Sequence, residues 1–346
     1  MSKIYANPFS WGKPVSGQHY VSRSALQSQV ISAIEDQDSL IITGKRGAGK
    51  SSMIKQVLDR HGSNFILLDL SFVVTLSDLN GLIISSVMNA FPKLKQSETL
   101  LSLQEDSTLE SVLHFVDDLA RQKDQTIIIV WDEFQAIAKL KSDSISELKN
   151  SLSTKSGLKH VFISPREDVL RAVLMGAKNQ LFKKIAHIDV GALEEKSFNL
   201  YLTKRFRRMG LNDFDLADTI LNFTQCNAQL SQIFAHSVAQ LWIEGTSTRL
   251  FARSLSKMLQ EHDSLFTSQW DSFGLNEKKL ILGLAHGYSR PTELGFISRF
   301  GLSATSTVHN TVLKLLRDGW LISNDDGYFI YDPLFLHWIQ RRNGIS

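Results

Sequence analysis

The run Gly44-Lys45-Arg46-Gly47-Ala48-Gly49-Lys50-Ser51 constrains this chain more than any other segment. It follows five β-rich residues, 39–43, and opens a stretch with helical spacing. That order of strand, loop and helix is the context in which G-x-x-x-x-G-K-[ST] has a physical meaning. The glycines permit a tight turn in which the amides from Gly47 to Ser51 and the positive end of the next helix converge on an anion. On this basis Gly44, Gly47, Ala48, Gly49, Lys50, Ser51 and Ser52 surround the phosphates of a nucleotide. Lys50 would hold the β- and γ-phosphates, and the Ser51 hydroxyl would ligate Mg2+. The alternative is a glycine-rich βα turn that binds nothing, but a lysine after the last glycine serves no turn chemistry.

A second segment completes the chemistry. Residues 126–131 form a continuous apolar run ending in Asp132-Glu133. Such a run suits a central parallel strand that delivers acids to its C-terminal edge, where open α/β sheets bind ligands. Asp132 would hold Mg2+ through its water shell, and Glu133, past the strand end, would polarise the attacking water. Taken alone, the pair could equally begin a solvated loop or cap a helix. The run 160–164 ends in Ser164, whose hydroxyl would meet the γ-phosphate or the water, or else cap the turn that Pro165 begins. Glu133, Lys50 and Ser164 are therefore the candidate catalytic residues.

The remaining sequence gives the organisation. With 346 residues, 43% hydrophobic and 21% charged, the chain has room for two or three ordinary globular domains. The β-rich runs 39–43, 64–70, 126–131, 160–164 and 186–190 alternate with helical segments, which predicts a parallel α/β sheet domain over residues 1–191. Residues 192–273 predict a helical domain, with helical spacing at 198–209, 216–223 and 231–242. Residues 274–346 predict a winged helix-turn-helix, with helices at 276–285, 292–300 and 304–317. Two β-like runs follow, 321–323 and 328–331, around Asn324-Asp325-Asp326-Gly327.

Several function classes drop out. No apolar window approaches a membrane span, and a net charge of +3 does not by itself indicate nucleic acid. Cys226 is the single cysteine and the first residues lack an apolar signal core, so the expected compartment is cytoplasmic. His187, His236, His286 and His337 have no metal-like spacing with Cys or acids.

With these residues placed, the chain resembles a prokaryotic P-loop ATPase of the AAA+/STAND-related group, especially the archaeal-type ATPase family. The carriers are Asn7-Pro8-Phe9 with Gly17 and Arg23, the phosphate loop, Asp132-Glu133-Phe134-Gln135, and Tyr331-Asp332-Pro333-Leu334-Phe335 with Trp338. The resemblance spans nearly the whole chain and implies an AAA+/ASCE-like sheet with the Ser164 strand between the Gly44 and Asp132 strands. It also implies a helical lid, a C-terminal winged helix, ATP with Mg2+, and adenine packing around Tyr20 and Arg23. Cdc6/Orc-type initiators share the plan, and related proteins serve mobile elements and antiphage systems as oligomers. Two departures stand out: Lys184 occupies a place where an arginine is common before the last strand, and Asn227-Ala228-Gln229 offers only Gln229 where the lid often supplies one. Lysine cannot reproduce a bidentate guanidinium clamp, so slow, switch-like hydrolysis is the expectation.

The surfaces leave two partner classes open. Residues 196–208 carry Lys196, Lys204, Arg205, Arg207 and Arg208 with no acid, either a phosphate-following face or a solvated one. Arg166 and Arg171 are candidates for contacts with a neighbouring subunit. In the expected recognition helix, Thr307, Asn310, Thr311 and Lys314 lie opposite Val308, Val312, Leu315 and Leu316. Asn and Thr suit base edges and Lys314 a phosphate, which points to double-stranded DNA. Asp325 and Asp326 at the wing would repel a DNA backbone and favour a separate effector protein as the partner instead. A structural nucleotide binder without turnover is a third option, which the intact Lys50, Ser51, Asp132 and Glu133 disfavour.

Overall fold

Strand β3 (Ile127–Asp132) is buried along its whole length, as its apolar sequence requires. Its side chains alternate between two cores: Ile128 and Val130 pack with Val30, Met53 and Val57, while Ile129 and Trp131 pack with Ile83, Val116 and Phe162. A computed structural model of the chain describes residues 6–36, 39–96, 103, 107–153, 157–174 and 185–345. Its main sheet contains β1 (Ser39–Thr43), β2 (Asn64–Asp69), β3, β4 (Lys159–Ile163) and β5 (Ala186–Asp189), in the order β2-β3-β4-β1-β5. Every pairing is parallel, and β4 lies between β1 and β3 as the family resemblance implies. The register sets Asp69 at the end of β2 beside Asp132 at the end of β3.

Helices connect the strands. They are α1 (Ser24–Asp36), α2 (Lys50–His61), α3 (Leu76–Ala90), α4 (Leu109–Gln122), α5 (Ser142–Ser153) and α6 (Glu167–Leu174). Then α7 (Glu195–Arg208) buries Phe198, Tyr201, Leu202 and Phe206, the last against Phe9 at 4.8 Å between ring centroids. This contact gives the early Asn7-Pro8-Phe9 segment a packing role.

The chain forms two compact units, one of Pro8–Asn212 with Gln225–His236, the other containing Asp213–Thr224 and Ser237–Ser346. The helical block 192–273 is therefore shared. Helix α7 and the start of α9 (Ala228–Ile243) belong to the sheet unit, whereas α8 (Leu216–Thr224), α10 (Leu250–Glu261) and α11 (Asp263–Ser272) belong to the other.

The second unit contains a winged helix. Helices α12 (Leu275–Ala285), α13 (Leu294–Arg299) and α14 (Thr305–Arg317) precede an antiparallel pair, β6 (Leu321–Asn324) and β7 (Gly327–Ile330). The terminal motif starts α15 (Pro333–Asn343): Asp332 accepts from the amides of Leu334 at 2.8 Å and Phe335 at 3.3 Å, with Pro333 in the first turn. Phe335 stacks with Trp338, whose indole N–H donates to Asp263 at 2.8 Å. Among the described residues, no helix is long and apolar enough to cross a membrane.

Candidate active site

β1 stops one residue before Gly44 and α2 starts at Lys50, so the loop stands at the C-terminal edge of the sheet. Its glycines are required by the geometry. Gly44 has φ 136°, and a Cβ there would lie 2.3 Å from the carbonyl oxygen of Val190. Gly47 has φ 74°, and a Cβ there would lie 2.6 Å from Asn227 Oδ1. Replacing Gly44 with alanine is expected to lower the thermal midpoint, by about 2–4 kcal/mol of stability, because left-handed strain adds to a backbone collision. Gly62→Ala is the matched control, since Gly62 also has positive φ but open space around it. It should cost only about 1 kcal/mol.

Lys50 is buried, and its ammonium donates to the carbonyls of Gly44 at 2.9 Å and Lys45 at 3.0 Å. Burial lowers its pKa, while the negative charges of Glu133, Asp132 and Asp189 pull it back up. Asp132 is 7% exposed, and burial is the main force lifting its carboxyl to about 6. A hydrogen bond from the Ser51 hydroxyl opposes that rise, and the neighbouring charges of Glu133 and Asp69 add to it. Ser51 and Asp132 are thus brought together, as the two oxygen donors of a Mg2+ site should be. Among the described residues no cluster of three His, Cys, Asp or Glu could hold a metal. Mg2+ needs none, because it is commonly held by one or two protein oxygens together with phosphates and waters.

Glu133 has φ 54°, an uncommon conformation for a non-glycine residue that recurs at functional sites. The conformation turns the chain out of β3 into a short 3-10 helix, Phe134–Lys139. Phe134 locks that turn by packing edge-on against Phe162 at 5.0 Å. The turn carries Gln135 back over the site, where its amide nitrogen donates to the Glu133 carboxylate. Ser164, fully buried after β4, donates to Gln135 Oε1 at 3.0 Å and accepts from the Arg166 amide at 2.9 Å. Glu133, Lys50 and Ser164 therefore converge on one sheet edge.

A strap upstream of α1 closes the other side. Val15 N–H donates to Ser52 Oγ at 3.1 Å and Gly17 N–H to Gln56 Oε1 at 2.6 Å. Tyr201 Oη donates to the His19 carbonyl at 3.1 Å and accepts from Gln232 at 2.8 Å; Arg205 stacks on the Tyr201 ring and donates to the Gln18 carbonyl. Burial raises the Tyr20 pKa to about 12, and its hydroxyl and His19 Nδ1 are buried without hydrogen-bond partners among the described residues. Strap, loop and acids line a cavity of about 330 Å³, which includes Trp11, His19, Tyr20, Lys50, Asp132 and Gln232.

Some expected residues do other work. Arg23 lines the cavity, but its guanidinium donates to the carbonyls of Ala48 and Gly191, both at 2.7 Å, so it pins the loop. The Ser52 hydroxyl holds the strap. Sequence reasoning passed over Asp69, the last residue of β2 as Asp132 is of β3, and gave Asn227 no role at the loop. Asn227 caps α9 by accepting from Leu230 N–H at 3.0 Å, and its side-chain amide donates to the Arg46 carbonyl at 2.9 Å. Gln229 meets the loop through its backbone N–H, which donates to the Gly47 carbonyl at 3.0 Å. Arg166 is paired with Asp168 and Arg171 with Glu167, both at 2.5 Å. Lys184 lies outside the described residues.

In the winged helix, Val308, Val312 and Leu315 are buried and Asn310 is exposed. Thr307 and Thr311 are half-buried, the latter donating to the Thr307 carbonyl at 2.8 Å. Lys314 is exposed but paired with Glu277 at 2.5 Å, and Asp325 and Asp326 stand exposed on the wing.

Comparison with known proteins agrees with this architecture. Residues 33–173 match the family described as "AAA domain", and residues 264–341 match the one described as "Probable winged helix domain". No curated protein matches the chain significantly. Among solved structures, the Walker-type ATPase paby2304 of Pyrococcus abyssi is similar at a TM-score of 0.76 and 16% identity, over 94% of this chain and 97% of that one. The Aeropyrum pernix ORC2 protein, in its ADPNP-ADP complexes, is similar at 0.61 and 13% identity, over 99% and 98%. The Aeropyrum pernix ORC1 protein, solved in complex with DNA, is similar at 0.55 and 12% identity, over 94% of each chain. At such identities the likeness is one of fold. The chain thus joins an AAA domain to a C-terminal winged helix domain, and its fold is similar to that of the Walker-type ATPase and ORC structures.

Proposed function

We propose that the chain is a Mg2+-dependent, ATP-hydrolysing switch. The observation that carries this reading is the convergence of Lys50, the bonded pair Ser51 and Asp132, and Glu133 at the mouth of one glycine loop. The loop amides and Lys50 bind the phosphates, while the unpartnered Tyr20 hydroxyl and His19 Nδ1 give the strap polar atoms for the base or ribose. Ser51 and Asp132 would hold Mg2+, which when bound offsets phosphate charge. Glu133 orients the attacking water and takes its proton, and Ser164, fully buried after β4, supports it through Gln135.

The output is an oligomeric, DNA-associated regulator in replication, transposition or antiphage defence. The fold shared with an ORC protein solved on DNA supports that reading. A specific observation favours a second one, a nucleotide-gated regulator of a partner protein. The lysine best placed for phosphate is neutralised by Glu277, and the wing is acidic. The deciding measurement is duplex affinity at 50 and 200 mM salt, alongside ATP turnover with and without duplex and with Glu133→Gln as the blank. Direct DNA contact should give a log-log salt slope of about −2 to −3, from about three phosphate contacts. Asn310→Ala should then weaken binding by roughly tenfold. No binding at 50 mM salt, with turnover indifferent to duplex, would establish the partner-protein reading instead.

A further inference from the structure

We propose that Trp11 is the ring on which the base of the bound nucleotide stacks. The proposal rests on the reading of the cavity as a nucleotide site, and it names the contact that holds the far end of the ligand. Among the described residues three aromatic rings line the cavity: Trp11, His19 and Tyr20. The family resemblance points to Tyr20, but that ring is committed elsewhere, packed against the core shared by β1, α1 and α2. His19 is tied to its neighbours: its carbonyl accepts from the Tyr201 hydroxyl, and its Nε2 lies 3.3 Å from the Gln18 amide nitrogen. Trp11 differs from both. Its indole lines the cavity and is still 52% exposed. A large ring left open to water inside a concave site is a surface that a flat ligand covers.

The ring also stands at a suitable remove from the phosphates. Helix α9 begins against the loop, where the Gln229 N–H donates to the Gly47 carbonyl at 3.0 Å. His236 lies seven residues on, about two turns or roughly 10 Å along the helix axis. There its ring meets Trp11 edge-on, with centroids 6.3 Å apart and planes at 78°. An edge contact steadies the indole and covers at most one of its faces. In a nucleotide one ribose separates base from phosphates, so phosphates seated on the loop put the base in this part of the cavity. Pro14, Val21, Leu193 and Ala228 line the cavity as well and give the base an apolar surround. Stacking uses the π-face that every base has, so the contact adds affinity without choosing between adenine and guanine. Any such choice falls to the polar atoms of the strap.

The test is calorimetric titration, with Mg2+, of wild type, Trp11→Phe and Trp11→Ala. The probes are the non-hydrolysable ATP analogue ADPNP, its guanosine counterpart, and inorganic tripolyphosphate, which has no base. Trp11→Ala should weaken both nucleotides by similar factors, about fivefold or more, while tripolyphosphate changes by less than about twofold. Trp11→Phe keeps a stacking face and should hold ADPNP within about threefold of wild type. Fluorescence gives a second readout. ADPNP should quench the emission of wild type more than that of Trp11→Phe, and tripolyphosphate should affect the two alike. Equal losses for ADPNP and tripolyphosphate in Trp11→Ala would make Trp11 a support of the strap and overturn the stacking. An ADPNP affinity that Trp11→Ala leaves unchanged would overturn it as well. Wild type that takes up neither ADPNP nor tripolyphosphate would overturn the nucleotide reading itself, and the proposal with it.

Discussion

Glu133→Gln should lower ATP turnover by about two to three orders of magnitude while leaving nucleotide affinity within roughly threefold. The loss is large because no neighbouring carboxylate is free to replace it. Asp132 is buried against Ser51, and Asp69 accepts from both the amide and the hydroxyl of Ser71, at 3.0 and 2.6 Å. Affinity survives because the phosphate-binding groups, the loop amides and Lys50, are untouched by the exchange. Glutamine is also nearly isosteric, so the left-handed turn at residue 133 keeps its packing. Phosphate release under saturating ATP, paired with calorimetric titration of ADPNP, reads both quantities. Residual turnover above about a tenth of wild type would mean that the base lies elsewhere.

Asp132→Asn is expected to act in opposite directions on stability and function. Burial lifts this carboxyl from its ordinary 3.8 to about 6, roughly two units, and each unit corresponds to about 1.4 kcal/mol. The ionised form therefore destabilises the nucleotide-free fold by up to about 3 kcal/mol at pH 7. Asparagine removes that charge and keeps an acceptor for Ser51, although Lys50 loses one of its attracting partners. A net gain of about 1–2 kcal/mol should appear as a higher thermal midpoint at pH 7. The sign with pH follows from the raised value. The folded state takes up the proton first, so the wild-type protein gains stability as pH falls from about 7 towards 4, and the variant lacks that component. Turnover moves the other way: without the Asp132 carboxylate, Mg2+-dependent hydrolysis should fall at least a hundredfold. A variant with an unchanged or lower midpoint at pH 7 would show that burial is not what strains the site.

The phosphate loop and the acidic pair were legible because each is dictated locally, whereas the place of β4 between β1 and β3 came only from the family resemblance. Glycines, a lysine and an apolar run carry their own geometry. Strand β1 begins and ends at the expected residues, and the other strands agree to within one residue at either end. The helical block was less legible. The helical spacing of α7 reveals an apolar face but not that Phe206 packs on Phe9, nearly two hundred residues earlier. Helices α10, α11 and α15 escaped the reading; for α11 and α15 the aromatic cluster of Phe266, Trp320, Phe335 and Trp338 that ties them together exists only after folding. Arg23 shows a further limit: its position near the loop was visible, but its engagement with two backbone carbonyls belongs to tertiary structure. The same holds for Lys314, whose phosphate-facing place on the helix could be read while its partner Glu277 lies 37 residues away.

The strap and the helix it lies on contribute different kinds of atom to their seam. The strap offers the main-chain N–H groups of Val15 and Gly17, and α2 offers the side-chain oxygens of Ser52 and Gln56. Any residue but proline carries the first kind, whereas very few side chains supply the second. Substitution should therefore be tolerated unequally across one contact. A mutational scan would find position 15 permissive to most residues of similar bulk and position 17 limited chiefly by its positive φ, while Ser52 and Gln56 reject nearly all replacements. For an engineer wishing to change what the nucleotide cavity accepts, the strap is the side to diversify and α2 the side to leave alone.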